Sequence, residues 1–194
     1  MKFCILMGSP QKSGNTQALL NPFCDELKKD NHDCETIRLY EQKIAACTAC
    51  RTCQQDWSCF GCRIHDDAHT IFEKILSCDI LVLATPIYSW YCTPPMKSLL
   101  DRLVYGMNKY YGEEKGPSLW KGKKVVSVVT CGYPVEKGAD LWEQGLRRYC
   151  KHSQLTYFGM LVEHDNGYKS TFMDELKKEH AIDFARKILS RCAE

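Results

Sequence analysis

Two apolar runs, ILVLAT after Asp79 and VVSVVT after Lys124, constrain the fold more than any other part of this chain. Neither alternates with polar residues, so each reads as a strand covered on both faces, the pattern of a buried parallel sheet. Three weaker strand patterns join them: Lys2 to Met7, Cys34 to Leu39 and Thr156 to Val162. Between and after these lie segments with helical apolar spacing: Asn15 to Lys29, Ala68 to Cys78, Pro95 to Tyr105, Asp140 to Lys151 and Thr171 to Arg191. Asp66 and Asp67 stand as N-cap candidates for the second helix. Strands alternating with helices imply right-handed crossovers, and hence an α/β fold with a parallel sheet and helices on both faces. The 194 residues fit one domain, 1–194, without an internal repeat. Two stretches fall outside the pattern. One is a cysteine-rich loop at about 45–65; the other, Tyr110 to Lys124, carries Gly112, Gly116, Pro117 and Gly122 and reads as a surface loop or lid.

Charge removes several classes of partner. With 26 Lys and Arg against 24 Asp and Glu, the chain has neither the basic excess of a nucleic-acid binder nor an acidic tail. The apolar run at the N-terminus stops at Gly8, too short for a signal sequence, and no stretch reaches the length of a membrane span. The expectation is a cytoplasmic protein that binds no membrane and no nucleic acid, its 13 cysteines reduced or bound to metal. The six histidines form no ligand motif, and Lys97 and Asp101 read as a helix-surface pair.

In a parallel sheet, ligands gather outside the carboxyl ends of the strands. Three loops leave those ends, after Met7, Thr85 and Thr130. The first, GSPQKSGNT, offers backbone N–H groups and hydroxyls and then opens a helix, which suits a phosphate dianion. The candidate ligands are Ser9, Gln11, Ser13, Asn15, Thr16 and Gln17, although Asn15 or Thr16 could equally be a plain N-cap. The loop lacks both the G-x-G-x-x-G dinucleotide pattern and the G-K-[ST] ending of a triphosphate loop, so a monophosphate such as that of FMN fits better. The second loop, Pro86-Ile87-Tyr88-Ser89-Trp90, presents aromatics beside amides, which an isoalloxazine ring requires. In the third, Thr130-Cys131-Gly132-Tyr133, Gly132 allows close backbone approach to a ligand and Cys131 reads as a bystander.

On GSPQKSGNT, ATPIYSW, MKSLLDR and KGKKVVSVVTCG the sequence resembles the flavodoxin-like NAD(P)H-dependent FMN reductases and their relatives, the iron-sulfur flavoproteins. The resemblance implies a flavodoxin-like five-stranded sheet in the order 2-1-3-4-5. It also implies an oxidoreductase in which FMN takes hydride from NAD(P)H and passes electrons to a quinone, a nitro or azo compound, or a redox protein. A homodimer or dimer of dimers is expected on the same ground, with Tyr105 to Lys121 and the cysteine loop as contact surfaces. The rival reading is an electron carrier without a small-molecule substrate; the near-neutral charge argues mildly against it.

Five thiols lie within sixteen residues, Cys47, Cys50, Cys53, Cys59 and Cys62. In the iron-sulfur flavoproteins a C-x2-C-x2-C-x5-C pattern holds a [4Fe-4S] cluster, and Cys47, Cys50, Cys53 and Cys59 match that spacing. Cys62 is the alternative fourth ligand, because those relatives usually place the last cysteine three residues before an Asp-Asp pair, here nearest to Asp66-Asp67. A cluster, a structural zinc and free thiols are all compatible with the spacing.

Overall fold

The computed structural model describes residues 1–167 and 170–193. Its strands are β1 (Lys2–Met7), β2 (Asp33–Arg38), β3 (Ile80–Pro86), β4 (Lys124–Cys131) and β5 (Thr156–His164). Its α-helices are α1 (Asn15–Lys29), α2 (Ala68–Ser77), α3 (Pro94–Met107), α4 (Val135–Gly138), α5 (Asp140–His152) and α6 (Glu175–Ala193). The strands form one parallel sheet in the order β2-β1-β3-β4-β5, as the flavodoxin-like reading requires. No helix among the described residues is long and apolar enough to cross a membrane.

Alternation along the strands divides the core. Phe3, Ile5, Ile80, Val82, Val126 and Val128 face α1 and α6, while Cys4, Leu6, Leu81, Leu83, Val125 and Val129 face α2, α3 and α5. Both sets are dry: every residue from Ile80 to Thr85 is at most 1% exposed. That explains the unbroken apolar run there.

The structure differs from the sequence reading at four places. The last helix begins at Glu175 rather than Thr171, and β5 runs on to His164. The short α4 lies on four residues, too few to show a period. Asp67 occupies the N-cap of α2, but it is Asp66 that accepts the Ala68 amide (3.1 Å), while Asp67 takes the amide of Lys43 (2.7 Å).

The fourth difference concerns Tyr110 to Lys124, which is only partly a surface loop. Ser118 pairs with Asn108 in an isolated bridge, and Trp120 is 2% exposed. Asn108, fully buried, is the hub: its side-chain oxygen accepts from Trp120 Nε1 (2.9 Å) and Ser118 Oγ (3.1 Å), and its amide donates to Ser153 Oγ (2.9 Å). Glycines and a proline marked the exposed tip correctly, but the return of the chain to the core depends on this network. Asn108→Ala would strand Trp120 Nε1 and Ser153 Oγ, while Ser118 keeps its bond to Ser153 O (2.9 Å), and should lower the unfolding free energy by about 2–4 kcal/mol in a denaturant titration.

The rim between α1 and α6 closes on Glu26, which accepts from Lys29 Nζ (2.6 Å) and Arg186 Nε (2.7 Å). The bonds from Lys29 and then Arg186 hold its carboxyl below the ordinary 4.5. A depressed native value contributes stability that is present above the unfolded value and lost as pH falls through the native one. Glu26→Gln should therefore lie below wild type in stability near neutrality and converge with it below about pH 4.5, read from unfolding midpoints across the acid range.

Candidate functional site

Two of the cavities among the described residues gather the candidate site residues, and α3 runs from beside the first, where its N-cap Thr93 bonds Gly8, to the wall of the second. The first lies outside the carboxyl ends of the strands. As the chain leaves β1, the Gly8 amide donates to Ala84 O (2.7 Å) and Gly8 O accepts from Thr93 Oγ1 (2.7 Å). A Cβ at Gly8 would stand 2.9 Å from Thr93 Oγ1 and 3.0 Å from Thr85 Oγ1, so the loop passes this point only as glycine. Ser9 Oγ accepts the Gln11 amide (3.3 Å), curling the loop toward α1. Thr16 Oγ1 shares a hydrogen bond with Thr130 Oγ1 (2.9 Å), which pins the first loop to the third.

Helix α1 starts without a side-chain cap: Gly14 is the N-cap, so neither Asn15 nor Thr16 plays that part. Among the described residues, the amides of Asn15, Thr16 and Gln17 carry no hydrogen bond. These are unspent donors at the positive end of a helix, where an anion is stabilised. They open onto a cavity of about 460 Å³ lined by Ser9, Gln11, Asn15, Thr16, Pro86, Tyr88 and Thr130. Its volume falls within the ~300–1,000 Å³ of small-molecule sites.

The remaining predicted residues stand around this cavity rather than on its wall. Ser13 is exposed beside it. Gln17 turns its side chain to the outer face, bonding Arg38 Nη2 (2.6 Å) and Asn21 (2.7 Å), so only its amide is available. Ile87 gives its amide to Thr130 O (2.8 Å), joining the second loop to the third. Cys131 is buried, its thiol donating to Tyr133 O (3.2 Å), in keeping with a bystander. Gly132 opens to empty space, and the Tyr133 ring stacks on Trp90 at 5.7 Å and 9°. With Tyr88 and Tyr91, these two rings form an exposed aromatic surface.

The cavity also takes in Asp165, Gly167 and Ser170, which the sequence reading did not single out. They follow β5 at the same sheet edge, Asp165 donating its amide to Cys131 O (2.8 Å) and accepting from Gly167 N (3.0 Å). The signal was present in the Asp-Asn-Gly turn, one strand beyond the three loops considered.

The second loop is a two-residue hairpin. Tyr88 and Tyr91 exchange both backbone bonds (2.8 and 3.0 Å), and φ is positive at Ser89 (49°) and Trp90 (66°). This is the type I′ pattern, which ordinarily selects Asn and Gly. The turn consumes the amide of Tyr88 and leaves those of Ser89 and Trp90 at its tip. Ser89→Gly would remove left-handed strain and should raise stability by about 0.5–1 kcal/mol in chemical denaturation.

The second cavity, about 110 Å³, is walled by Cys47, Cys50, Cys53 and Cys62 with Arg102 and Tyr105 of α3. That is several times the room one water needs. Cys59 lies outside it, its thiol 3.3 Å from Asp56 Oδ2. Left-handed turns at Ala49, Arg51 and Gly61 fold the loop back on itself. Burial pushes the Cys53 thiol up, whereas bonds from the Thr52 side chain and amide pull exposed Cys50 down. Two buried cations hold the loop to α3 and its extension. Lys109, fully buried, donates to the carbonyls of Cys53 (2.6 Å) and Cys59 (2.7 Å). Arg102 bonds Asp66 and, through Nη2, Cys62 Sγ (3.3 Å) and Ile64 O (3.0 Å). Phe60 lies flat where a Cβ on Gly106 would be, 2.2 Å from that position, so glycine there lets the loop dock.

Among the described residues, no three His, Cys, Asp or Glu side chains converge closely enough to hold a single metal ion. A mononuclear tetrahedral thiolate site would draw its sulfurs to about 3.8 Å from one another, given Zn–S bonds of 2.3 Å. The four thiols line one cavity without converging on such a point.

The family profile described as NADPH-dependent FMN reductase matches residues 1–158. The chain belongs to that family and is an NAD(P)H-dependent FMN oxidoreductase. An iron-sulfur flavoprotein of Archaeoglobus fulgidus is 30% identical, the match covering 80% of this chain and 77% of the relative. A second, from Methanosarcina thermophila, is 26% identical over 87% of this chain and 80% of its own. An FMN-dependent NADH-azoreductase from Bacillus anthracis, solved with FMN, shares the fold with a TM-score of 0.69 at 15% identity, covering 100% of this chain and 99% of that one.

Proposed function

We propose that the chain passes electrons from NAD(P)H through FMN to a quinone, a nitro or azo compound, or a redox protein, and that a [4Fe-4S] cluster in the thiol cavity serves the last route. The observation that carries the flavin part is the cavity in which the unspent amides of α1 meet the strained aromatic hairpin. Bound there, FMN would supply the hydride-accepting ring. Ser9, Asn15 and Thr16, with the amide of Gln17, hold its phosphate. The amides of Ser89 and Trp90 face the ring edge, and the loop from Thr130 to Tyr133 closes the pyrimidine side. Asp165, Gly167 and Ser170 complete the wall.

The stacked rings of Trp90 and Tyr133 are open to solvent, and a flat nicotinamide or quinone finds an apolar face against them. A homodimer, expected from the resemblance, would cover this surface and exclude water from the reacting ring. For the cluster, the ligands that fit are Cys47, Cys50, Cys53 and Cys62, since Cys59 is turned toward Asp56.

The deciding experiment is the visible spectrum of protein purified without oxygen, followed by NAD(P)H turnover with a quinone. Flavin bands over a broad absorbance that dithionite bleaches, with turnover, support both parts; flavin bands alone leave the reductase without the cluster. A colourless protein that takes up no FMN sinks the proposal. Thr16→Val removes the bond to Thr130 and a phosphate-side hydroxyl, and should weaken FMN binding about tenfold, roughly 1.4 kcal/mol, in a fluorescence titration.

A further inference from the structure

Arg102 sits at the wall of the thiol cavity and is 2% exposed. A guanidinium carries five N–H donors and no acceptor. Here Nη1 is spent on the two oxygens of Asp66 (2.7 and 2.5 Å) with a longer contact to Ala45 O (3.4 Å), and Nη2 on Cys62 Sγ (3.3 Å) and Ile64 O (3.0 Å). Nε is left, buried and without a partner. A charged donor in a dry site without an acceptor is costly, and the rest of the side chain is held too firmly for it to turn away.

We propose that Arg102 is the positioning residue of the thiol cavity: it presents Cys62 as the fourth sulfur and reserves its Nε–H for an acceptor that arrives with the bound group. This rests on the reading that the cavity holds an iron-sulfur cluster. Its thiolates and sulfides are anionic sulfurs, which a buried guanidinium serves with charge-assisted bonds. Asp66 balances the cation through Nη1, which leaves Nη2 for Cys62 and Nε for the bound group. Cys59 has the opposite environment: as a thiolate it would face the Asp56 carboxylate 3.3 Å away. Lysine could keep the charge at position 102, but one ammonium cannot serve Asp66, Ile64 O, Cys62 and a further acceptor in the geometry of a planar fork. Donors to cluster sulfurs favour the more negative, reduced state, so this arginine sets the ease of reduction as well as the ligand choice.

The test uses the full chain, reconstituted without oxygen with ferrous iron and sulfide. Wild type, Cys59→Ser, Cys62→Ser, Arg102→Lys and Arg102→Gln are compared by iron and sulfide content and by dithionite titration of the cluster, with FMN content as the check of folding. Expected are a cluster in Cys59→Ser, none that is stable in Cys62→Ser, and in Arg102→Lys a cluster whose reduction is about tenfold less favourable, 59 mV for a one-electron couple. Arg102→Gln, which loses the charge as well, should shift at least as far or lose the cluster while keeping FMN. A cluster in Cys62→Ser but not in Cys59→Ser overturns the ligand assignment. A potential in Arg102→Lys equal to wild type overturns the role of the arginine alone. Wild type that keeps FMN yet takes up no iron and sulfide overturns the cluster reading itself, and the proposal with it. The serine pair decides the ligand choice even where an Arg102 variant fails to fold.

Discussion

The central strand β3 has both faces in the core, and the rest of the architecture follows from covering it. One face needs α1 and α6, the other α2, α3 and α5, so every connection must cross over and every strand must run the same way. The loops that leave β1, β3, β4 and β5 therefore collect at one edge. The start of α1 with its free amides, an aromatic hairpin and the Asp165 turn, far apart in sequence, come to line one cavity. The site needs no further framework because Thr16 to Thr130 and Thr93 to Gly8 tie its loops together with buried hydroxyls.

The thiol loop stands in a different relation to the fold. It lies in the connection between β2 and α2, where strands and helices do not dictate its path. What holds it is a set of buried polar contacts with α3 and its extension: Lys109 on its carbonyls, Arg102 on Cys62 and Ile64, and the loop's own Gln54 reaching Tyr105 O (2.6 Å) and Asn108 O (3.1 Å). Buried groups of this kind are costly when half satisfied, so the loop is ordered cooperatively. The cavity at the strand ends is thus built by hydrophobic topology, and the thiol cavity by ion and hydrogen-bond pairing.

This division also explains what could be read from the sequence. Strands with two buried faces declare themselves as apolar runs, and the phosphate loop as Gly, Ser and Asn before an amphipathic helix. Hence the parallel α/β fold and the wall residues Ser9, Asn15, Thr16, Tyr88 and Thr130 were legible, while the sheet order came only with the family resemblance. A buried lysine at 109 and arginine at 102 look, in sequence, like ordinary solvated charges. Only their contacts across some forty residues or more reveal them. Cys59 and Cys62 have the same character: spacing treats them alike, and only the structure shows that one thiol meets Asp56 and the other Arg102. A turn after Pro86 was legible, but Ser89 and Trp90 did not mark it as a two-residue hairpin, because that turn normally asks for other residues.

Helix α3 begins beside the phosphate loop, where Thr93 holds Gly8, and carries Arg102 and Tyr105 to the thiol cavity. The nine residues from Thr93 to Arg102 span about 14 Å at 1.5 Å per residue, and each adds about 100° of rotation. Between those anchors many side chains could be exchanged for others of similar size. Inserting or deleting one residue, by contrast, would swing Arg102 a quarter-turn or more off Cys62 while leaving the phosphate loop untouched. In evolutionary terms, this stretch is free to drift in identity and fixed in length, and the two cavities must be inherited at a set separation.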